Sequence, residues 1–489
     1  MPEPQVAASR RRFGLRTGSG LFAVALSCAA LWSCGGDDGA DAGAVASSGG
    51  AGPGNGGIGG SDGGAGGGGG EQSLPLAGEP CVGYTLLGSP ENDGGSDFKA
   101  TLIDMDGNLV HRFSITGFPP KMLPGGSLIG CAGVFPTSYD CVEMQEVDWS
   151  GELEWSFSDF ADAGNGTTAA RHHHDLQREG NPVGYYAPGQ DFVQGGKTLV
   201  LAHARRIVPE IRDGAIDDDV LYEVDSAGAR TDFVWYAGDH VEELGFDAAE
   251  RNDIRTRDPS LSYIEWLHGN SASLLGSNHW FDEGRAEFHP DNIIYSSRAA
   301  NFVVIISRET GEVVWRVGPD FAGRPEASLG QFAGQHNPHM IPRGLPGAGN
   351  ILVFDNGATS GYGGTSTTGN PNRYGRDYSR VLEFDPVTKE VVWEYGTASG
   401  DERFFSFLLS NAQRLPNGNT LITIGMAGRL IEVTPDHRVV WEYQYEPNSS
   451  GTRPEWIYRS YRIAPEWLPE GENAAHGDYA TWASLFEAP

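Results

Sequence analysis

The chain has 489 residues and a formal charge of −31, from 34 Lys and Arg against 65 Asp and Glu. That balance argues against nucleic acid and anionic membrane surfaces as partners, since like charge repels. An acidic body that acts on an anionic substrate needs a local positive site.

Residues 1–34 read as a signal peptide. Arg10, Arg11, Arg12 and Arg16 form a basic region ahead of the apolar run LFAVALSCAALW, which is too short for a comfortable membrane span. SRRRFGL also fits a twin-arginine export signal. The run ends in Leu31-Trp32-Ser33-Cys34, a lipobox-like ending that makes Cys34 the expected lipidation site, with Cys28 as a weaker competitor. Residues 35–75 are dominated by Gly, Ala, Ser and Asp, cannot bury enough apolar surface to fold, and read as a flexible tether. The expected location is therefore outside the cytoplasm, anchored to the cell envelope on its periplasmic or outer-membrane face, with membrane contact through an N-terminal lipid only.

Residues 76–489 form the folded body. Cys131 and Cys141 are close enough to pair across a hairpin in an oxidising compartment, which leaves Cys81 without an assigned partner. A hairpin pattern then recurs: apolar-x-apolar, a polar turn with Gly or Pro, and an apolar pair ending in Trp. It places Trp155, Trp235, Trp315, Trp393 and Trp441, with His111 in the Trp slot of a weaker first copy. Each copy alternates as half-buried antiparallel strands do. Further short strands, such as GGKTLVLAH, DNIIYSSR and GNILVFDNG, precede most hairpins. Six such units predict an all-β, six-bladed β-propeller, in which the tryptophans pack blade against blade. Seven blades, or a closing strand lent by one terminus, fit the same pattern. The segment from Gly451 on is expected to close the last blade.

Histidines recur just ahead of the strands expected to line the central channel. RHHHDLQ carries His172, His173 and His174; EWLHGNSAS carries His268; GQHNPHM carries His336 and His339. The corresponding stretch of the last unit, LLSNAQRLPNGN, has Asn411 instead. Histidine titrates near neutral pH and serves as base, nucleophile or ligand, so three such positions from distant parts of the chain point to a convergent site.

WLHGNS, NIIYSSR, TGEVVWRVG, QHNPHM, GNILVFDNG, SRVLEFDPVTKEVVWEYG and NAQRLPNGNTLI, in this order, resemble the bacterial arylsulfotransferase family over about residues 165–445. The resemblance implies a six-bladed propeller outside the cytoplasm. It implies transfer of a sulfuryl group from a phenolic sulfate donor to a phenol acceptor, with no nucleotide sulfate donor and no cofactor. It also implies a histidine nucleophile aided by other channel histidines and an arginine. His268 and His336 match the family's histidine motifs and His174 matches a histidine-aspartate motif, while His339 is expected to be structural or to support the site from behind.

Elementary chemistry agrees in outline. A neutral imidazole can attack sulfur, a second histidine can carry the phenolic proton, and the sulfuryl oxygens require fixed positive charge or oriented donors. Arg298 and the amide of Asn356 are the expected donors, with Asn270 and Asn411 as further substrate-binding groups. Arg373, Arg376 or Arg380 could bring more positive charge back to the site. Trp266, Phe354 and Tyr362 are the aromatic side chains nearest these motifs, expected in the core rather than as substrate walls.

Two other readings compete: a non-catalytic propeller lipoprotein that binds a ligand or partner, and a metal-dependent hydrolase using three histidines or the run His172-His173-His174-Asp175. No HxxxH, HExxH or paired-Cys spacing supports the second, so no metal ligands are assigned. The acidic stretch DGAIDDDV is expected to be a solvated loop rather than a calcium site.

Overall fold

The computed structural model describes residues 78–486, apart from 91–97, 136–139, 163–165, 190–191, 194, 256–264, 319–328, 358–374, 397–403 and 446–455. The chain divides into two units, 1–70 and 71–489, and every described residue belongs to the second. The signal peptide, Cys34, the tether, Tyr362 and Arg373 lie outside the described residues.

Six four-stranded antiparallel blades make a β-propeller. In blade 3 the strands run His172–Arg178, Thr198–Ile207, Ala215–Val224 and Arg230–Tyr236. Blade 4 has Gly269–Leu274, Ile293–Ser297, Phe302–Ile306 and Val313–Val317. Blade 5 has His336–Met340, Ile351–Asp355, Arg380–Phe384 and Val391–Tyr395. Blade 6 has Asn411–Arg414, Thr420–Ile424, Arg429–Val433 and Val439–Gln444.

Blades 1 and 2 share the long strand Leu109–Met122 and so form one continuous sheet. The register breaks between Thr116 and Lys121, where the strand leaves one blade for the next. The C-terminal strand Ser460–Ile463 pairs with Tyr84–Pro90 and becomes the inner strand of blade 1. It thus closes the first blade rather than the last. This exchange joins the two ends of the described chain inside one sheet and leaves no blade incomplete.

The tryptophans hold the blades in sequence. Each indole Nε1 donates to a backbone carbonyl in the outer turn of the following blade: Trp155 to Asp225, Trp235 to Gly311, Trp315 to Pro386, Trp393 to Pro435 and Trp441 to Met105. His111, in the Trp slot of blade 1, stacks on Trp149 of blade 2 with ring centroids 4.0 Å apart. An indole suits this position because its apolar body packs between sheets while its single donor satisfies a turn carbonyl.

The histidine-bearing segments are themselves the inner strands, packed in a ring about the channel, and the apolar strands that follow them are second strands. The sequence pattern hid this. HHHDLQR, GNSASL, HNPHM and NAQR lack period-2 alternation. The first three also carry bulges, and His174, His268 and Asn337 take positive φ in or beside them. A bulge re-aims side chains at a sheet rim.

Candidate functional site

Three blades deliver the catalytic candidates to one end of the channel. His268 precedes the inner strand of blade 4, and its carbonyl accepts from the Arg298 amide at 3.1 Å. His174 of blade 3 packs edge-on against His268, with ring centroids 4.7 Å apart. His336, at the start of blade 5's inner strand, lies close enough to feel the charges of Arg298, Arg459 and His268. His174, His268 and Arg298 are half-buried, whereas His336 is buried. Arg298 brings positive charge beside His336.

The surroundings of His336 define its protonation. Its Nδ1 lies 2.7 Å from Asn356 Oδ1 and 2.9 Å from the Gly334 carbonyl. The Asn356 amide is itself oriented, because its Nδ2 donates to the carbonyls of Ser406 at 2.7 Å and Leu409 at 3.0 Å. With two acceptors around it, Nδ1 carries the proton and Nε2 keeps the lone pair. Burial, then the nearby Arg298 charge, hold the His336 pKa well below the usual histidine value, so the ring is neutral near pH 7.

Neither Asn356 nor Asn270 is exposed. Asn356 orients His336, and Asn270 Nδ2 donates to the Gln335 carbonyl at 2.6 Å, tying blade 4 to the residue before His336. Asn411 also departs from the expectation of a substrate ligand. Its Nδ2 donates to the Ser460 carbonyl at 2.9 Å and its Oδ1 accepts from the Ser460 amide at 3.1 Å. Gln413, two residues on, does the same with Arg462, at 3.0 and 2.7 Å. These two carboxamides imitate a β-ladder and join the inner strands of blades 6 and 1.

Arg376 and Arg380 both pair with buried Asp355, at 2.7 and 2.9 Å, rather than joining the channel histidines. Trp266 and Phe354 are core residues: the Trp266 indole donates to Asp218 Oδ1 at 2.9 Å, and Phe354 packs on Phe404. His339 is buried, with Nε2 2.6 Å from the Tyr185 hydroxyl. Cys131 and Cys141 form a disulfide between neighbouring strands of blade 2, and Cys81 is free and buried.

The run His172-His173-His174-Asp175 does not act as one ligand set. Asp175 pairs with Lys121 at 2.7 Å and Arg459 at 3.2 Å, a buried cluster built by blades 1, 2 and 3. His173 alone of the four turns toward a different group, His203, Asp219 and Glu265. Sequence reasoning missed those three and placed Asp217, Asp218 and Asp219 in a solvated loop. They lie in a buried strand of blade 3 instead. Asp217 pairs with Arg171 and Asp218 with Arg206, while Asp219 accepts from Tyr295 at 2.6 Å. Burial opposes a charge on His203, but Asp140 and Glu265 outweigh it and push its pKa well above the usual value.

Comparison with known proteins adds a family. The family model described as Arylsulfotransferase (ASST) matches residues 189–459, more than half of the chain. No curated protein matches it. Solved structures with similar folds include a Bacteroides caccae protein of unknown function, 13% identical, with TM-score 0.38 over 78% of this chain and 98% of that one. The Dos1 propeller is 10% identical, with TM-score 0.32 over 75% and 74%. The Cps50 (Swd1) β-propeller domain of Myceliophteria thermophila is 8% identical, with TM-score 0.35 over 74% and 87%. None of these likenesses bears on what the site does.

Proposed function

The chain belongs to the arylsulfotransferase family, and from that premise we propose that it moves a sulfuryl group from an aryl sulfate to a phenol through His336. The observation that carries this reading is the fixed tautomer of His336, whose Nδ1 faces two acceptors while Nε2 is left as a neutral nucleophile.

His336 Nε2 attacks the sulfur of the aryl sulfate, the N–S bond forms and the S–O bond to the phenol breaks. The leaving phenolate takes a proton from His268, whose Nδ1 is held 2.9 Å from Glu265 Oε1, leaving Nε2 to exchange protons. The acceptor phenol then returns a proton to His268 and attacks sulfur, and the N–S bond breaks to restore neutral His336. Positive charge that develops on the His336 ring is met at Nδ1–H by Asn356 Oδ1 and the Gly334 carbonyl. Arg298 faces the sulfuryl oxygens, where fixed charge acts most strongly in a water-poor site. His174 packs against His268 and closes the site on the blade 3 side. Histidine pairs of this kind suit a two-step transfer, since one ring bonds to the group while another carries the proton.

The location follows the same reading: export through the N-terminal signal and attachment at Cys34, with the Cys131–Cys141 disulfide supporting an oxidising compartment. The test of function is an aryl sulfate that releases a coloured phenol, supplied with and without a second phenol. Beyond one phenol per enzyme molecule in the first turnover, the reading predicts release that requires the acceptor and is lost in His336→Ala. Sustained turnover without an acceptor would make the protein a sulfatase, and no release from folded protein would leave a binding module.

A further inference from the structure

Beside the channel histidines lies a cluster of which the transfer chemistry uses only Glu265, the partner of His268. Three adjacent strands of blade 3 present His173, His203 and Asp219 side by side, with His203 and Asp219 directly opposite in the ladder. The rings of His173 and His203 stack with centroids 3.7 Å apart. Glu265 reaches in from the segment that leads to blade 4, which bridges to blade 3 at Asp217.

We propose that His173, His203, Asp219 and Glu265 form a four-ligand seat for a divalent transition-metal ion of the zinc class. A tetrahedral ion with bonds of about 2.0–2.1 Å sets its ligand atoms about 3.3 Å apart. Asp219 Oδ1 lies 3.2 Å from His173 Nε2 and 3.5 Å from His203 Nε2, and His203 Nε2 lies 3.2 Å from Glu265 Oε1. All four ligand atoms lie within 4.8 Å of one another. His173 Nε2 and Asp219 Oδ1 are both buried, and they face each other inside this group.

The outer contacts are those of a metal site. His203 Nδ1 is 2.9 Å from Asp140 Oδ1, and His173 Nδ1 is 2.9 Å from His174 Nδ1, which leaves both Nε2 atoms to face inward. Asp219 Oδ2 accepts from the Tyr295 hydroxyl at 2.6 Å and the Gly269 amide at 2.7 Å, so Oδ1 remains for the ion. Such partners fix ring orientation and carboxylate geometry in metalloproteins. Two imidazoles and two carboxylates suit zinc, and their charges neutralise a divalent ion in a buried place.

Two of the ligands reach the transfer site directly: Glu265 holds His268, and His173 holds His174. The ion is a positioning element for both, and its presence does not depend on which group the site transfers.

The test uses the full folded body without a histidine tag, stripped with a chelator and titrated with zinc or cobalt. The proposal predicts about one ion per chain by elemental mass spectrometry, a zinc-dependent rise in melting temperature, and the visible absorption of four-coordinate cobalt. His203→Gln and Asp219→Asn should each remove the ion, and Asp140→Asn should weaken it by roughly 10–100-fold. Folded wild-type protein that takes up no ion, a six-coordinate cobalt spectrum, or binding that survives both ligand substitutions would overturn it. Because these readouts need no substrate, they stand or fall apart from the sulfuryl-transfer assay.

Discussion

The inner strands of blades 3, 4 and 5 and those of blades 6 and 1 hold equivalent places around the channel, yet they use polar side chains in opposite ways. Blades 3 to 5 break their ladders with bulges and turn His174, His268 and His336 toward one another. Blades 6 and 1 add to their ladders, with Asn411 and Gln413 bonding the backbone of Ser460 and Arg462. In the proposed mechanism blades 3 to 5 carry the chemistry, while blades 6 and 1 close the circle. Asn411, which stands where earlier units carry a histidine, marks the place where blades 6 and 1 meet.

The contrast can be broken from either side. The largest effect is expected in the first half: His336→Ala should lower transfer by on the order of 10³-fold or more in the folded fraction, far beyond the stability it loses with its buried ring and its contacts to Asn356 and Gly334, in a colorimetric assay paired with thermal unfolding. Asn411→Ala should do the reverse. It strands the amide and carbonyl of Ser460 in the interior, which costs about 2–4 kcal/mol, while the folded fraction keeps its activity; denaturant titration checks this.

Acid should separate the halves more gently. His336 and His339 are buried and held below the usual value, His339 at about 4 and mainly by burial. The unfolded chain binds their protons first, so stability falls as pH drops below about 6.5, by about 1.4 kcal/mol per unit for each group until its folded pKa is reached. Unfolding midpoints measured from pH 7 to pH 4 test the sign, and His339→Gln should flatten the slope. The smallest effect is expected far from the channel. Trp393→Phe removes one indole-to-carbonyl bond between blades 5 and 6 and should cost about 1 kcal/mol without touching activity.

The same contrast explains what could be read before folding. The Trp hairpins were legible because outer strands alternate and their marker recurs, and the motif order pointed to His174, His268, His336 and Arg298. The inner strands were not legible as strands, since GNSASL and HNPHM follow a bulged backbone rather than a period of two. The run Asp217-Asp218-Asp219 read as solvated because its partners, Arg171, Arg206, His173 and Tyr295, are distant in the sequence. Asn356 was expected to touch substrate, and only the position of Ser406 and Leu409 makes it a support for His336. Register between distant strands decides such roles, and no local pattern records it.

The most direct measurement is to mix folded protein with an aryl sulfate in the absence of acceptor, quench quickly, and map the bound sulfuryl group by peptide mass spectrometry. The account predicts one sulfuryl group on the peptide that carries His336, discharged when a phenol is added. A sulfuryl group on His268 or His174, or acceptor-dependent transfer that never labels the protein, would contradict it.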